Sequence, residues 1–380
     1  MNRNDGRMKL AVLSNIIAPA KIRVYSGLAE HFDLLLLHGG MESNRDSWVA
    51  PESNITRARI KRVWGWQIPL WKMDGKIRDR RHLHINPSYI WYLFRFRPDA
   101  IVTNEMGFRT LQALLYGTLM RKSVWVWWGG TLHTERLIGP VRRTARFVVS
   151  RWARRWFSYG QTSTEYLLSL GISRERIVQI QNAVDETQFS ADAKPEFNLH
   201  PRPVLLHVGQ LIGRKGIDSF LRAAVVLQKE GHEFLLLFVG SGPDRQKLEQ
   251  LASDLQLKNV HFHSSLGPEK MPSVYRSADC LIFPTLSDVW GTVASEAALS
   301  GLPVLCSRYA GCAAELFTED SIFDPEDPDD FVTKLREAVA GRLPKPDISR
   351  IRTTPELVNR MISAIEASKP VKSMQSIRCK

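Results

Sequence analysis

The sequence predicts an α/β fold of two doubly wound parallel sheets, with a cleft between the two domains. Short apolar runs of strand length alternate with helix-length amphipathic segments along most of the chain, which is the pattern of βαβ units. At 380 residues the chain is too long for one ordinary core, and it suits two domains of roughly 150–200 residues. A hydrophobic share of 44% and a charged share of 24% are typical of a globular protein.

Five apolar runs predict the strands of the first domain, with helical patterns between most of them. These runs are 10–13, 34–37, 100–103, 124–128 and 177–180. The stretch 41–83 is the exception, because it is rich in Arg, Trp and Gly and has no clean period. We expect an insertion or a long functional loop there.

A second series of five runs predicts the sheet of the second domain. They are 204–208, 234–239, 260–263, 280–284 and 303–307. The polar, proline-containing stretch 190–203 separates the two series and is the predicted interdomain linker. The acidic segment 324–330 predicts the capped start of a helix over 331–339 rather than a metal site. A last amphipathic helix is expected at about 355–366, before a basic tail.

Composition limits the location and the partners of the chain. No apolar stretch approaches the roughly 20 residues that span a bilayer, and the polar start 1–7 does not resemble a secretory signal. The four cysteines have neither Cys-x-x-Cys nor zinc-ligand spacing, so we expect reduced thiols in a cytoplasmic protein. The net charge of +13 predicts an anionic partner, which is a nucleotide, a nucleic acid or an anionic membrane surface.

Two glycine-rich loops follow strands of the second domain. The first, Gly209-Gln-Leu-Ile-Gly-Arg-Lys-Gly216, places two adjacent cations beside a helix start, which suits a diphosphate. A solvated basic turn is the alternative. The second, Gly240-Ser-Gly242, lacks the third glycine of the dinucleotide fingerprint, and close packing is its favoured explanation.

A third loop is more informative. Asp288 follows a predicted strand, and a helix is expected to begin near Gly291. The amide groups of Gly291, Thr292 and Val293 then lack helical carbonyl partners, and with the helix dipole they favour an anion. Glu296 stands on the second turn among small apolar residues, where a carboxylate is costly unless it meets hydroxyl or cationic partners. A capping or solvent-facing role is the alternative.

Together the three loops resemble the retaining glycosyltransferase family 4, which has the GT-B fold of two Rossmann-like domains. The resemblance runs in register over 204–316, and Asn182-Ala-Val-Asp185 is similar to that family's Asn-Gly-Val-Asp. It implies a nucleotide-sugar donor, a UDP- or GDP-sugar, in a C-terminal domain at 190–345. The acceptor is then expected on an N-terminal domain at 1–189, and the helix within 346–380 is expected to pack back towards that domain.

The resemblance also implies residue roles. The family's Glu-x7-Glu pair matches Asp288 and Glu296, so Glu296 is expected to accept hydrogen bonds from ribose, and Asp288 to contact the transferred sugar. Lys215 matches the phosphate-binding lysine, Gln210 replaces the usual arginine, and Arg214 is expected to supply that charge. The expected catalytic residues are Asp288, Lys215 and Arg214. The expected donor-binding residues are Gly209, Gln210, Gly240, Gly242, Gly291, Thr292, Val293 and Glu296.

These cationic groups and the helix start are expected to stabilise the departing diphosphate, so neither a metal nor a cofactor is predicted. The acceptor is expected to be a glycan or a lipid-linked molecule of surface polysaccharide, lipopolysaccharide or glycolipid synthesis. The acceptor-side candidates are Asn15, Glu105, Gly129, Gly130 and His133. For His133, an ordinary loop histidine is the favoured explanation.

The segment 141–156 has a helical division between apolar and basic residues. Its apolar stripe is Val141, Ala145, Val148, Trp152 and Trp156, and six arginines occupy other positions. Core packing of the stripe under a solvated basic face is one interpretation. The other is a helix that lies on anionic lipid and brings the cleft near a lipid-linked acceptor.

Other functions remain open at this stage. A sugar-nucleotide epimerase or hydrolase of the same architecture is the alternative among enzymes. A nucleic-acid-binding protein is disfavoured because the basic residues form no known recognition module. A dinucleotide oxidoreductase is disfavoured because no loop completes Gly-x-Gly-x-x-Gly.

Overall fold

A computed structural model describes residues 6–40, 55–74, 77–189 and 193–368, which form two parallel sheets with helices on their faces. The first sheet has seven strands in the order β3-β2-β1-β6-β7-β8-β9, and β4 and β5 form a separate antiparallel hairpin. The strands are β1 (Lys9–Ser14), β2 (Asp33–His38), β3 (Arg59–Arg62), β4 (Trp66–Asp74), β5 (Ile77–Ile85), β6 (Ala100–Asn104), β7 (Ser123–Trp128), β8 (Arg155–Ser158) and β9 (Ile177–Gln179).

The second sheet has six strands in the order β12-β11-β10-β13-β14-β15, and all its neighbours are parallel. Its strands are β10 (Val204–Val208), β11 (Leu235–Val239), β12 (Val260–His263), β13 (Cys280–Phe283), β14 (Val304–Ser307) and β15 (Ile322–Phe323). All ten predicted strands are present, and the prediction of two doubly wound α/β domains is confirmed.

Helices cover both sheets. They are α1 (Ile22–His31), α2 (Ser88–Phe96), α3 (Phe108–Met120), α4 (Pro140–Trp152), α5 (Gln161–Ser169), α6 (Glu186–Phe189), α7 (Ile217–Lys229), α8 (Arg245–Asp254), α9 (Met271–Arg276), α10 (Thr292–Leu299), α11 (Ala313–Leu316), α12 (Pro328–Val339) and α13 (Thr354–Ala367). Helix α12 begins three residues earlier than predicted, because the Asp327 side chain accepts hydrogen bonds from the Asp329 and Asp330 amides and caps the helix at Pro328.

Two predictions for the first domain need correction. The stretch 41–83 was expected to be an insertion or a long loop, and the loop alternative is wrong, since the stretch contains β3, β4 and most of β5. Residues 41–54 and 75–76 lie outside the described part. The predicted helical segment 141–156 is also divided. Helix α4 ends at Trp152, and Trp156 lies fully buried on β8, which pairs with β7. The spacing of Trp156 matched a helical period, but burial on both faces of a parallel sheet decided its conformation.

The packed face of α4 differs from the predicted one. Val149 is buried, whereas Val141 is 78% exposed, and Val148 and Trp152 are also exposed. Arg146, predicted on the solvated basic face, instead pairs with Glu135 at 2.9 Å and lies over the Trp128 ring. The helix therefore directs most of its apolar stripe outwards.

The chain crosses between the two domains twice. It passes from β9 to β10, and it returns after α12 so that α13 packs on α1, with Leu357 and Met361 buried beside Val24. Gln181 joins the two crossing segments. Its side-chain amide donates to the Arg350 carbonyl at 2.9 Å and its oxygen accepts from the Arg352 amide at 2.8 Å.

Each sheet reverses its winding at one pair of adjacent strands, β1 and β6 in the first sheet and β10 and β13 in the second. Ligands of doubly wound folds bind outside the carboxyl ends of the strands at such a reversal. The carboxyl ends of the two sheets face each other, since His133 after β7 contacts Leu286 after β13. The fold thus places two potential binding positions on opposite walls of one cleft.

Candidate functional site

A buried ion pair joins the loops that follow β10 and β13. The Lys215 ammonium donates to Asp288 Oδ2 at 2.6 Å, although the two residues are 73 positions apart. Arg214 lies beside them, with its guanidinium 4.0 Å from the same oxygen and 3.2 Å from the Ser287 carbonyl. The three predicted catalytic residues are therefore brought together at the winding reversal of the second sheet.

The surroundings of Asp288 favour its charged form. Burial raises the pKa of this carboxyl, but the nearby charges of Lys215 and Arg214 lower it, as do the hydrogen bonds donated by Lys215 and by the Trp290 amide. The net result is a pKa below the usual value of 3.8. The site therefore holds two cations and one carboxylate in fixed positions at neutral pH.

The glycines of the second loop allow two loops to pack closely. A Cβ on Gly240 would lie 1.8 Å from the Gly209 carbonyl oxygen, and one on Gly242 would lie 2.3 Å from the Leu211 carbonyl oxygen. The Leu211 amide donates to the Ser241 carbonyl at 3.0 Å across the same contact. Gly240 and Gly242 therefore support the wall of the site by allowing Gly209 and Leu211 to approach the loop after β11.

Helix α10 starts next to the ion pair. It begins at Thr292 after Gly291, so the leading amides through Val293 have no carbonyl partners within the helix. The predicted helix start is thus correct. The Thr292 hydroxyl accepts a hydrogen bond from the Asn182 side chain at 3.4 Å, which links this helix to the crossing segment.

Glu296 lies one turn along α10 and has a partner that the sequence did not indicate. The Tyr275 hydroxyl on α9 donates to Glu296 Oε2 at 2.7 Å. Burial raises the pKa of Glu296, and the hydrogen bond from Tyr275 offsets only part of this effect. Burial and the nearby carboxylate also raise the pKa of Tyr275, so the phenol remains a donor.

His133 reaches across the cleft from the first domain. Its Nε2 donates to the Leu286 carbonyl at 2.8 Å, and its ring stacks on Tyr309 with centroids 3.9 Å apart. The Leu286 amide in turn donates to the Arg214 carbonyl at 2.9 Å. His133 is therefore connected through one residue to the cationic loop.

Two other candidates after β7 are involved in packing. A Cβ on Gly129 would lie 2.5 Å from the Tyr159 ring, and one on Gly130 would lie 2.4 Å from the Trp128 ring. Lys21, which the sequence did not single out, lies 3.8 Å from the centre of the Trp127 ring and donates to the Tyr159 hydroxyl at 2.5 Å. A buried cation thus lies on the first-domain side of the interface.

Asn15 and Glu105 meet each other, but they lie apart from the cluster in the second domain. They follow β1 and β6, the two strands at the winding reversal of the first sheet, and the Asn15 side-chain amide lies 3.4 Å from Glu105 Oε2. The predicted site residues therefore form two groups, one on each domain.

Glu315 on α11 is a further residue that the sequence did not reveal. Its carboxylate accepts hydrogen bonds from the Gln161 amide at 2.8 Å, from Gln179 at 3.2 Å and from Gln181 at 2.6 Å. All three donors belong to the first domain or to the crossing segment, so this one carboxylate contributes three hydrogen bonds to the interface between the domains. Within the described residues, no group of three or more His, Cys, Asp or Glu is placed to hold a metal ion.

Residues 189–353 match the family of glycosyl transferases group 1. Over 284 residues the chain is 25% identical to a sulfoquinovosyl transferase of Arabidopsis thaliana, which covers 68% of this chain and 53% of that protein. Over 154 residues it is 34% identical to a D-inositol 3-phosphate glycosyltransferase of Nocardia farcinica, and the match covers 37% of this chain and 34% of that protein. The chain thus spans only about half, or less, of the length of these relatives.

Solved structures resemble the fold over nearly the whole chain. The Anabaena protein Alr3699/HepE in complex with UDP-glucose has a TM-score of 0.71 at 15% identity, covering 95% of this chain and all of that one. Sucrose-phosphate synthase of Thermosynechococcus elongatus has a TM-score of 0.65 at 17% identity, and the match covers 95% of this chain and 97% of that one. The architecture is the GT-B fold, as expected from the sequence.

The raised pKa of Glu296 predicts a pH-dependent gain in stability for Glu296→Gln. The wild-type group has no ionisation cost below its ordinary pKa of 4.5, and stability is lost as the pH rises through the higher folded value. Glutamine cannot ionise and can still accept the hydrogen bond from Tyr275. We therefore expect the variant to melt above the wild type at pH 7–8, with the difference shrinking towards pH 4.5.

Thermal unfolding of both proteins across this pH range is the measurement. Glu249→Gln, at an exposed ion pair on α8, is the control and should show no such trend. A Glu296→Gln melting temperature at or below that of the wild type at pH 8 would contradict the interpretation.

Proposed function

We propose that this chain, whose residues 189–353 match the family of glycosyl transferases group 1, is a retaining glycosyltransferase. It takes a sugar from a UDP- or GDP-sugar and transfers it to a glycan or a lipid-linked acceptor. The observation that carries the proposal is the cluster of Lys215, Arg214 and Asp288 beside the open start of α10. Fixed cations and free amides at one point are suited to a diphosphate.

The charges around this cluster support one position for the donor in the proposed complex. The diphosphate lies between the amides at Gly291–Val293 and the two cations, and the sugar lies next to Asp288. The ribose hydroxyls donate to Glu296, which Tyr275 holds in place at 2.7 Å. A carboxylate that accepts from two hydroxyls regains the solvation that burial removes, so the donor offsets the cost that raises the Glu296 pKa.

The ion pair prepares Lys215 for the reaction. Asp288 holds the ammonium before the donor arrives, so little reorganisation is needed when negative charge develops on the departing diphosphate. Cations do the work that a metal does in other transferases, and we propose transfer without a metal or another cofactor. The carboxylate of Asp288 remains near the anomeric centre, where positive charge develops.

The setting is inferred from the relatives. Besides the sulfoquinovosyl transferase, a lipopolysaccharide glucosyltransferase of Escherichia coli is 37% identical over 111 residues, 29% of each chain. These proteins support a role in surface polysaccharide, lipopolysaccharide or glycolipid synthesis. We propose in addition that the chain acts at the cytoplasmic face of a membrane. Nucleic acid is not a proposed partner.

Calorimetry with UDP-, GDP- and other nucleotide sugars tests donor binding. We expect nucleotide sugars of one base to bind. The Glu296→Gln substitution should weaken their binding free energy by about 1–3 kcal/mol, since hydrogen bonds to charged groups are of that size. Glu249→Gln should bind like the wild type. If no sugar nucleotide binds to folded protein, the proposal is wrong, and an unchanged affinity of Glu296→Gln would remove the ribose assignment.

Transfer assays with Lys215→Ala test the chemical role of the cation. We expect turnover to fall on the order of 10²–10³-fold, the effect of removing one preorganised donor of this kind. Some loss of melting stability is also expected, because Asp288 is left buried with a weaker partner. The double variant Lys215→Met, Asp288→Asn should recover stability but not turnover.

Lys270→Ala, at an exposed ion pair with Glu196, is the control for that assay. The reaction should be unaffected by EDTA and should keep the anomeric configuration of the donor in the product. Activity that recovers with stability in the double variant would contradict the role of Lys215. Product formed without an acceptor would favour an epimerase or a hydrolase.

We also propose peripheral association with an anionic membrane, through the outer faces of α2, α3 and α4. None of the described helices is long and apolar enough to cross a bilayer. These three helices nevertheless expose large apolar side chains: Trp91, Phe94, Leu115, Leu119, Met120, Val141, Phe147, Val148 and Trp152. Trp152 on α4 donates to Thr118 on α3 at 3.0 Å, and Phe94 on α2 contacts Tyr116 on α3, so the three faces adjoin.

Exposed arginines border this apolar face, among them Arg95, Arg121, Arg143, Arg151 and Arg154. Nine exposed apolar side chains on adjoining helix faces indicate an interaction site, and the arginines around them favour anionic lipid as the partner. Such docking would bring the acceptor-side domain to a lipid-linked substrate.

Co-sedimentation with vesicles of phosphatidylcholine, with and without phosphatidylglycerol, tests the association. Binding should require the anionic lipid and weaken with salt. It should fall at least tenfold in the double variant that combines Leu119→Asp and Phe147→Asp. Ile348→Asp, at an exposed apolar residue of the segment that follows α12, should bind like the wild type. Equal binding of all three proteins, or no dependence on anionic lipid, would exclude this surface.

A further inference from the structure

The winding reversal of the first sheet carries a polar cluster that mirrors the position of the proposed donor site. Asn15 follows β1, Glu105 follows β6, and Arg109 lies on the first turn of α3; we call these three residues the β1/β6 cluster. The reversal between β10 and β13 carries the Lys215–Asp288 pair. Two equivalent positions therefore face each other across the cleft, and the one on the first domain holds two of the acceptor-side candidates, for which the chemical class of the ligand is still open.

Arg109 is the buried cation of this cluster. Only 7% of its side chain is exposed, and its Nε donates to the Asn104 carbonyl at 2.9 Å. A second guanidinium nitrogen donates to Asn15 Oδ1, and a third lies 3.2 Å from Glu105 Oε2. Each of the three guanidinium nitrogens thus has a partner, and Glu105 is the carboxylate that opposes its charge.

Glu105 is held in an unusual position. Its backbone has φ +66°, in the left-handed region that non-glycine residues rarely adopt. Its amide donates to the Trp127 carbonyl at 3.1 Å and its carbonyl accepts from the Thr110 hydroxyl at 2.5 Å, so the conformation is imposed from both sides. Strained backbone that the surroundings maintain in this way is common at binding sites.

The carboxylate of Glu105 is nevertheless available to a ligand. Its side chain is 62% exposed even though its partner Arg109 is buried. Oε2 contacts Arg109 and Asn15, whereas Oε1 has no hydrogen-bond partner among the residues that the structure describes. The cluster therefore presents an oriented acceptor oxygen to the cleft.

The charges decide which ligand fits. Only 7% of the Arg109 side chain is exposed, so it offers little surface to an anion, and the more exposed Glu105 carboxylate beside it repels phosphate and carboxylate groups. A carboxylate oxygen accepts hydrogen bonds from hydroxyl groups. The preferred ligand is therefore an uncharged polyol such as an unmodified sugar ring.

We infer that the β1/β6 cluster binds the acceptor through hydroxyl groups of an uncharged sugar ring, which donate to Glu105. Arg109 and Asn15 are positioning residues that orient the carboxylate. This inference rests on the proposed glycosyl transfer, because it assigns the acceptor to the wall opposite the donor. It excludes an acceptor whose reacting ring carries a phosphate or a carboxylate next to the attacking hydroxyl.

Saturation-transfer NMR tests the inference on the full chain in the presence of UDP or GDP, whichever binds. The probes are methyl glucoside, methyl galactoside and methyl mannoside, with the matching hexose 6-phosphates and uronic acids. At least one neutral hexoside should bind the wild type, more tightly than its anionic counterparts. Glu105→Gln should weaken that binding at least tenfold.

Glu105→Ala uncovers Arg109 and should reverse the preference, so that a hexose 6-phosphate binds at least tenfold more tightly than to the wild type. Glu249→Gln, which removes the acid of another i, i+4 pair with arginine, should behave like the wild type. If Glu105→Gln does not fold, Glu105→Asp keeps the charge but withdraws it by one methylene, and should weaken hexoside binding while anions remain excluded.

Nucleoside diphosphate affinity should stay within twofold of the wild type in all variants. Loss of donor binding, which would contradict the proposed function, is thereby distinguished from loss of hexoside binding, which tests the β1/β6 cluster. The inference is overturned if no neutral hexoside binds the diphosphate-loaded wild type. It is also overturned if anionic probes bind as well as neutral ones, or if Glu105→Gln and Glu105→Asp bind like the wild type.

Discussion

The buried contact between Lys215 and Asp288 is the constraint on which the rest of the site depends. Each charge would be costly in this position without the other, so the loops after β10 and β13 must meet at 2.6 Å. That meeting places Arg214 so that its carbonyl accepts from the Leu286 amide, and it fixes the carbonyl of Leu286 as the acceptor for His133. The first domain is therefore docked on a surface that the ion pair creates.

Much of the second domain was predictable because its signals are local. Runs such as 234–239 are apolar throughout, as expected for strands buried on both faces, and the sequence from Asp288 to Glu296 contains its own turn, helix start and carboxylates. Tyr275 and Glu315 were not predictable. Their partners lie on other elements, so nothing in the neighbouring sequence distinguishes these residues from ordinary helix positions.

The first domain shows where periodicity fails. Along α4, the sequence separates apolar from basic residues, but it does not say which side meets the core. The structure buries Val149 and turns Arg146 inwards to Glu135, which leaves Phe147 and Trp152 on the surface. The short strand β8 was missed for a related reason, since Trp156 continued the helical spacing across the end of the helix.

Gln181 has a mechanical consequence. The chain passes between the domains at two places, and this one side chain ties them together through the Arg350 carbonyl and the Arg352 amide. Two adjacent tethers suppress twisting and sliding of one body against the other, and they leave rotation about the line through both as the easiest motion. Rotation about that line would change the width of the cleft while its two walls keep their register.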